Sequence, residues 1–395
     1  MRFDAAVIGS GPAGATTARL LAQAGWSVAL IERAGFPRRK VCGEFISAAT
    51  MPVLEACGVA DEFLGRAGPM VRTVAVYSGA AMVEAPLPYA TSGWGQAMGR
   101  EQLDVLLRDA AVAAGARLFQ PVEVAALCID EDGHQLTLAG RGAGHDIGAR
   151  IVIGACGSWS RRGPFVITAG SRPSDLFAFK AHLHGAALLD GVMPLLAFPG
   201  GYGGMVHSDH GRLTLSCCIR RDALGRVREV YGGKAGEAVL RHISATTEGV
   251  RRALEGATIE GAILATGPIR PGIRGGYRDG MFFVGNAAGE AHPIIAEGIS
   301  MAIQSAWLLA QGLAADGSAA GPIYARAWEQ QFGRRLHAAS AFAWLAINDR
   351  SRATAMRLIR AFPKVLTWGA RLSGKAAPLR PHRLARVIGV RHDAA

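Results

Sequence analysis

The residues best equipped to hold an anion are Gly9-Ser10-Gly11-Pro12-Ala13-Gly14. In this spacing Gly9 permits a tight turn and Gly11 lets a pyrophosphate approach the backbone. Gly14 lets a helix pack closely on a strand, and the free N–H groups at the helix start, around Pro12 and Ala13, face the anion. Glu32 lies 21 residues past Gly11, where a carboxylate can accept from a ribose hydroxyl. A second group follows: Arg33, Arg38, Arg39 and Lys40 lead into Cys42-Gly43-Glu44. Cations beside a thiol favour its thiolate, so Cys42 is a candidate for chemistry, with a small packing residue as the bland alternative. Further candidates are Arg100 at a helix start, His182 and Lys180 on one strand, Tyr202 in a glycine-rich run, and His292-Pro293. His292 reads either as a proton relay or as a hydrogen-bonded structural histidine. No third ligand stands near the His182/His184 pair, so no metal is expected.

These residues need elements to position them. The apolar Ala5 to Ile8 reads as a buried parallel strand, followed by a helix through Ala24 and a second strand from Ser27 to Ile31. Helices are expected from about Ser47 to Cys57 and from Arg100 to near Gly115. Short strands are expected at 117–119, 122–129 and 135–138, across an Asp132-Gly133 turn. Ile151 to Ala155 is another buried strand, running into Cys156-Gly157-Ser158-Trp159-Ser160. From about 165 to 270 the pattern becomes strands and turns. Phe177, Phe179, Ala181 and Leu183 alternate with Lys180, His182 and His184 as on a half-buried strand, and Pro199 to Gly204 reads as a flexible connection. Met281 to Val284 returns as a strand and enters Gly285-Asn286-Ala287, then Pro293 to Gly298, from which a long helix runs to about Leu313.

The 395 residues are half apolar and only 19% charged, as in a globular protein. No apolar run of about 18 residues marks a membrane span. The early first strand and the six cysteines, without Cys-x-x-Cys spacing, are expected of a cytosolic chain with free thiols. The net charge of +12 is concentrated: residues 350–395 hold 11 Lys/Arg against one acid, while residues 1–349 hold 32 against 30. No nucleic-acid partner is expected from so neutral a body. Wound as a helix, 350–372 places Arg350, Arg357, Lys364 and Arg371 on one side, with Arg360 beside them. Leu358, Ile359, Phe362, Val365, Leu366 and Leu372 fall opposite, and Pro363 kinks or divides the helix. That pattern suits a membrane surface or, equally, a packed helix with a solvated basic face.

Gly9 to Gly14 with Glu32, Cys156 to Ser160, and Gly285 to Gly298 together resemble the FAD-dependent oxidoreductases of the p-hydroxybenzoate-hydroxylase fold. Within it the chain looks most like the geranylgeranyl-reductase-like branch, which includes flavoprotein hydroxylases that accompany type III polyketide synthases. The resemblance covers roughly residues 1 to 330. It implies an α/β protein: a Rossmann-like FAD-binding domain (1–164 and 271–345), an inserted β-sheet substrate domain (165–270) and a basic helical tail (346–395). It implies FAD contacts from Gly9, Gly11, Pro12, Ala13, Gly14, Glu32, Arg33, Lys40, Arg100, Gly285, Asn286, Ala287, Glu297, Gly298 and Ile299. Cys42, His292 and Pro293 would be catalytic, and Tyr202, Lys180 and His182 would face substrate. Asn286 stands where the family usually has Asp. Cys156-Gly157 stands where it commonly has Asp-Gly, which leaves the electron donor open between NAD(P)H and an external reductase. The activity implied first is hydroxylation of an apolar aromatic or polyketide-like substrate through a flavin C4a-hydroperoxide. The alternatives are saturation of isoprenoid C=C bonds, with Cys42 supplying a proton, and a non-catalytic flavin-binding protein. The expected location is cytoplasmic, with peripheral contact at the inner membrane face.

Overall fold

The computed structural model of the chain describes residues 1–130, 133–140, 146–158, 170–377 and 379. Asp132, Trp159, Ser160 and the tail past 379, on which expectations fell, lie outside the described residues. The strand Arg2–Ile8 is central because Ala5, Ala6 and Val7 are apolar on both faces. It lies parallel to Val28–Ile31 on one side and Ile147–Gly154 on the other, and Arg117–Phe119 and Met281–Phe283 extend the parallel run outward. Sheets covered on both faces read as continuous apolar runs, and these strands do. An antiparallel pair, Glu123–Asp130 and Gly133–Ala139, attaches to Ile147–Gly154. The helix Pro12–Gln23 packs between the helices Arg100–Ala113 and Gly298–Asp316 through small residues such as Ala15 and Ala18.

The second sheet runs in the order Thr258–Ile259, Leu176–His184, Leu213–Arg220, Gly201–His207, Val192–Phe198, Thr73–Ser78, Ala81–Pro86. Three sequence expectations are corrected here. Leu176–His184 is not half-buried: Phe179, Ala181 and Leu183 pack on helices, while Lys180 and His182 are also buried, on the opposite face. The covering helices are Arg221–Tyr231, Ala235–Thr246 and Glu248–Ala253, in a region read as strands and turns. The glycine run is no loose connection either, since Gly201–His207 is a paired strand. A Cβ at Gly201 would stand 2.4 Å from the Cys218 carbonyl oxygen, and one at Gly203 would stand 2.5 Å from that of Ser216, so glycine allows close backbone approach here. The hairpin 73–86 joins this sheet too, although it precedes the expected boundary at 164.

After Gly298–Asp316 the chain forms the long helix Gly321–Ile347 and then two short ones, Asp349–Ala361 and Lys364–Leu372, divided at Pro363. The pair packs on the hairpin 73–86. Among the described residues no helix is long and apolar enough to cross a membrane.

Candidate active site

A cavity of about 550 Å³ runs between the two sheets. Three stretches far apart in the chain wall one part of it: Gly9, Gly11, Pro12, Ala13 with Glu32 and Arg33; Gly285 and Asn286; Pro293, Gly298 and Ile299. Two helix N-termini open onto it. Pro12–Gln23 and Gly298–Asp316 both lack a side-chain cap and an acid in the first turn, so their N–H groups are left for an anion or a polar ring edge. Gly9 has φ +107°, and a Cβ there would stand 2.5 Å from the Ala155 carbonyl oxygen; a Cβ on Gly14 would stand 1.8 Å from that of Gly9. Gly14 thus serves packing from behind the wall. Glu32, buried at the end of its strand, accepts the Ser10 and Ala34 N–H groups, both at 2.9 Å, and pairs with Arg38 at 3.0 Å. This groove fits an extended dinucleotide: a phosphate cradle, an acid at the ribose distance and a second helix start at the far end.

Arg100 crosses the phosphate end. Its guanidinium holds Asp104 by two hydrogen bonds of 2.7 Å and comes within 3.6 Å of where a Gly11 Cβ would lie. Burial works against its charge, but Asp104 holds it well above the ordinary arginine range. The Cys42 thiol, on the cavity wall, also interacts with Arg100. Arg38 and Arg39, expected beside the thiol, are turned instead to Glu32 and Asp104 and to Glu101 and Glu260. Lys40 keeps an exposed face, yet its ammonium reaches into the groove. Lost hydration, with Arg100 and Arg38 nearby, pushes it down to about 8.

Two residues past Cys42, Glu44 (φ +63°) is fully buried and organises a polar cluster. Its carboxylate accepts from Lys180, from Thr214 at 2.5 Å and from the Arg100 backbone N–H at 3.0 Å, and bonds His182 Nε2 at 3.0 Å. Burial penalises this carboxylate, yet the bond to His182 and the charge of Lys180 hold it at about 2. Lys180 and His182 therefore stand behind the cavity wall, anchoring the loop that carries Cys42, rather than facing substrate. Glu297 and Ala287 are likewise off the wall. Glu297 is buried and bonds Lys375 and Ser47, both at 3.0 Å, and Ala287 is core.

His292 is on the cavity wall, and the fully buried Tyr202 backs it with a 3.0 Å hydrogen bond between its hydroxyl and His292 Nδ1. Burial pushes the imidazole down to about 4 and the Tyr202 hydroxyl well up. Asn286 Nδ2 donates to Ser158 Oγ at 2.9 Å and to Glu290 Oε1 at 3.2 Å. Arg274 pairs with the other Glu290 oxygen at 3.0 Å. Glu290 and Ser158 line the cavity and, although they fall inside the stretches that carry the resemblance, were given no role there; an acid four residues past Asn286 was the available signal. Cys156 is on the wall, its thiol pushed up by burial. Beyond Cys42 the lining turns apolar, through Phe45, Met193, Leu195, Met205 and Val206. Among the described residues no cluster of His, Cys, Asp or Glu could hold a metal ion.

A two-sheet α/β fold with this groove defines a dinucleotide-binding flavoprotein. Residues 2–174 match the family described as FAD binding domain, FAD is the cofactor, and the chain is an FAD-dependent oxidoreductase. The chain is 27% identical to a digeranylgeranylglycerophospholipid reductase of Methanopyrus kandleri, over 85% of this chain and 84% of that one. It is 25% identical to the menaquinone reductase of Mycobacterium tuberculosis, over 78% and 76% respectively. Among solved structures it resembles PqsL of Pseudomonas aeruginosa, described as "a probable FAD-dependent monooxygenase", with a TM-score of 0.72 at 21% identity over 90% of this chain and 99% of that one. That likeness is one of fold.

Proposed function

We propose that the chain is an FAD-dependent monooxygenase that hydroxylates an elongated apolar substrate bearing a phenolic hydroxyl. The observation that carries the reading is the Tyr202–His292 pair, a neutral imidazole on the wall of a cavity whose far end is apolar, held in place by a buried tyrosine hydroxyl. Bound FAD, once reduced, would supply the activation of dioxygen. The chain's own residues would do the rest. His292, held at Nδ1 by the Tyr202 hydroxyl, would hydrogen-bond the substrate phenol through its other ring nitrogen and orient the ring, whose own hydroxyl oxygen lends it the electron density that makes it a nucleophile toward electrophilic oxygen. Phe45, Met193, Leu195, Met205 and Val206 seat the apolar part and exclude water. A second reading, saturation of a C=C bond, is favoured by Cys42 on the wall as a proton donor and by the reductases among the relatives.

The test is turnover of a long-chain alkylphenol and of a polyprenyl alkene by the reduced holoenzyme, with and without isotopically labelled dioxygen. Label in the phenol product, with kcat lowered about 10²-fold in Tyr202→Phe and little changed in Cys42→Ser, supports hydroxylation. Oxygen-independent alkene reduction lost in Cys42→Ser establishes the second reading instead. Turnover of neither leaves a flavin-binding protein without this chemistry.

A further inference from the structure

Large apolar side chains left in solvent are concentrated near the C-terminus. Leu358, Phe362, Trp368 and Leu372 are 51, 62, 69 and 63% exposed, with Val365 at 40%. Val365, Trp368 and Leu372 share one stripe of the helix Lys364–Leu372, at steps of three and seven residues. Leu358 on the preceding helix and Phe362, the residue just past its end, extend the exposed apolar surface. Arg357, Arg360, Lys364 and Arg371 are exposed between them, and residues 350–377 contain no acid. The sequence pattern had set the apolar side chains opposite the basic ones. The fold instead buries Met356, Leu366 and Ala370, packs Ile359 half-buried against them, and leaves Leu358, Phe362, Val365, Trp368 and Leu372 in solvent among the cations.

The buried side of the same helices leads to the active site. Met356, Leu366 and Ala370 pack in one cluster with Phe45, Met193 and Val206, with Leu195 and Ala296 against it. Those five partners line the apolar end of the cavity. Just past the second helix, Lys375 Nζ donates to the Ile295 carbonyl at 2.7 Å and pairs with Glu297, fastening the helices to the segment that carries His292 and Pro293.

We propose that the exposed face of this helix pair docks on an anionic lipid bilayer, with the helices standing between the lipid and the substrate end of the cavity. Aromatic and leucine side chains would enter the boundary between headgroups and acyl chains, while the long basic side chains reach lipid phosphates. Charge decides the occupant. A second copy of the chain meeting this face two-fold would set arginines against arginines with no acid in 350–377 to neutralise them, whereas an anionic headgroup layer complements them. The substrate class that follows is a compound dissolved in the membrane. The proposal goes beyond the hydroxylation reading and does not depend on it.

The experiment is co-sedimentation of full-length holoprotein with phosphatidylcholine vesicles, with and without phosphatidylglycerol. The protein is expected to sediment with the anionic vesicles and to stay in solution with the neutral ones. Trp368→Glu combined with Leu372→Glu should lower partitioning at least ~10-fold. Lys364→Gln and Arg371→Gln should each lower it roughly five-fold, and added salt should reproduce that loss. Bound flavin and thermal unfolding should be unchanged in these surface variants, which keeps the test separate from folding. Failure to sediment, equal binding to neutral vesicles, or unaltered partitioning of the glutamate variant overturns the proposal. So does a vesicle-free dimer that the same substitutions dissociate. No turnover is read, so this failure is distinct from failure of the proposed reaction.

Discussion

Replacing Glu44 with glutamine keeps the size and backbone of the residue but removes the charge on which a buried cluster is built. The carboxylate bonds Lys180, His182, Thr214 and the Arg100 N–H, all deep in the protein. Without it the Lys180 ammonium, 1% exposed, is left buried without a counter-charge. Breaking a buried pair from one side costs roughly 3–5 kcal/mol. The pH argument gives a similar size. Held at about 2 against an ordinary value of 4.5, the carboxylate contributes roughly 3 kcal/mol. Because its folded-state value is depressed, that stability is fully present above the ordinary value and is lost as pH falls toward about 2. For a chain of this length unfolding as one unit, 4 kcal/mol lowers Tm by about 5 °C. Differential scanning calorimetry of wild type and Glu44→Gln, from neutral pH down to the onset of acid unfolding, measures both effects. The variant should melt lower at neutral pH and show a flatter acid limb. Adding Lys180→Met to Glu44→Gln should recover a large part of the loss. A Tm within a degree of wild type at neutral pH would refute the assignment of Glu44 as the anchor of the Cys42 loop.

Other outcomes follow from the same geometry. Gly14→Ala puts a methyl 1.8 Å from the Gly9 carbonyl oxygen, so the purified variant should lack visible flavin absorbance and refuse added FAD in titration. Arg100→Lys gives up the two-bond pairing with Asp104, so equilibrium dialysis should show FAD held about 10- to 100-fold more weakly. His292, pushed down to about 4, should remain a neutral hydrogen-bonding group across the neutral range, with kcat falling only as pH approaches that value. Its folded value lies below the ordinary one of 6.5, so its contribution to stability is present above 6.5 and lost as pH falls toward about 4. His292→Gln should remove that part of the acid loss in a pH series of melts.

The local chemistry of the cradle was legible because it needs only neighbours in the chain. A strand, a glycine turn and a helix start are set by Ala5 to Gly14, and Glu32 follows one strand later. The division of the tail at Pro363 was legible for the same reason, since proline ends a helix wherever it falls. Other readings failed where burial comes from distant partners. Alternation along Leu176–His184 suggested a wet face, but Glu44, more than 130 residues away, makes the polar side of that strand an interior. Lys180 and His182 thus moved from the substrate wall to a structural cluster. Glu297 moved likewise, because Lys375 reaches it from beyond the last helix. The helices between 221 and 253 were missed where their amphipathic pattern had to be told from that of strands.

By itself, then, the sequence determined what one strand, one turn or one helix does: turn at Gly9 into an uncapped helix start, end a buried strand at Glu32, and break at Pro363. The tertiary structure alone decided which polar side chains are buried together, that Tyr202 meets His292 behind the cavity wall, and that the basic helices cover its apolar end. The physical reason is that backbone geometry is governed by neighbours a few residues away. Burial and hydrogen-bond partnership, by contrast, are governed by whichever distant segments come to lie against them.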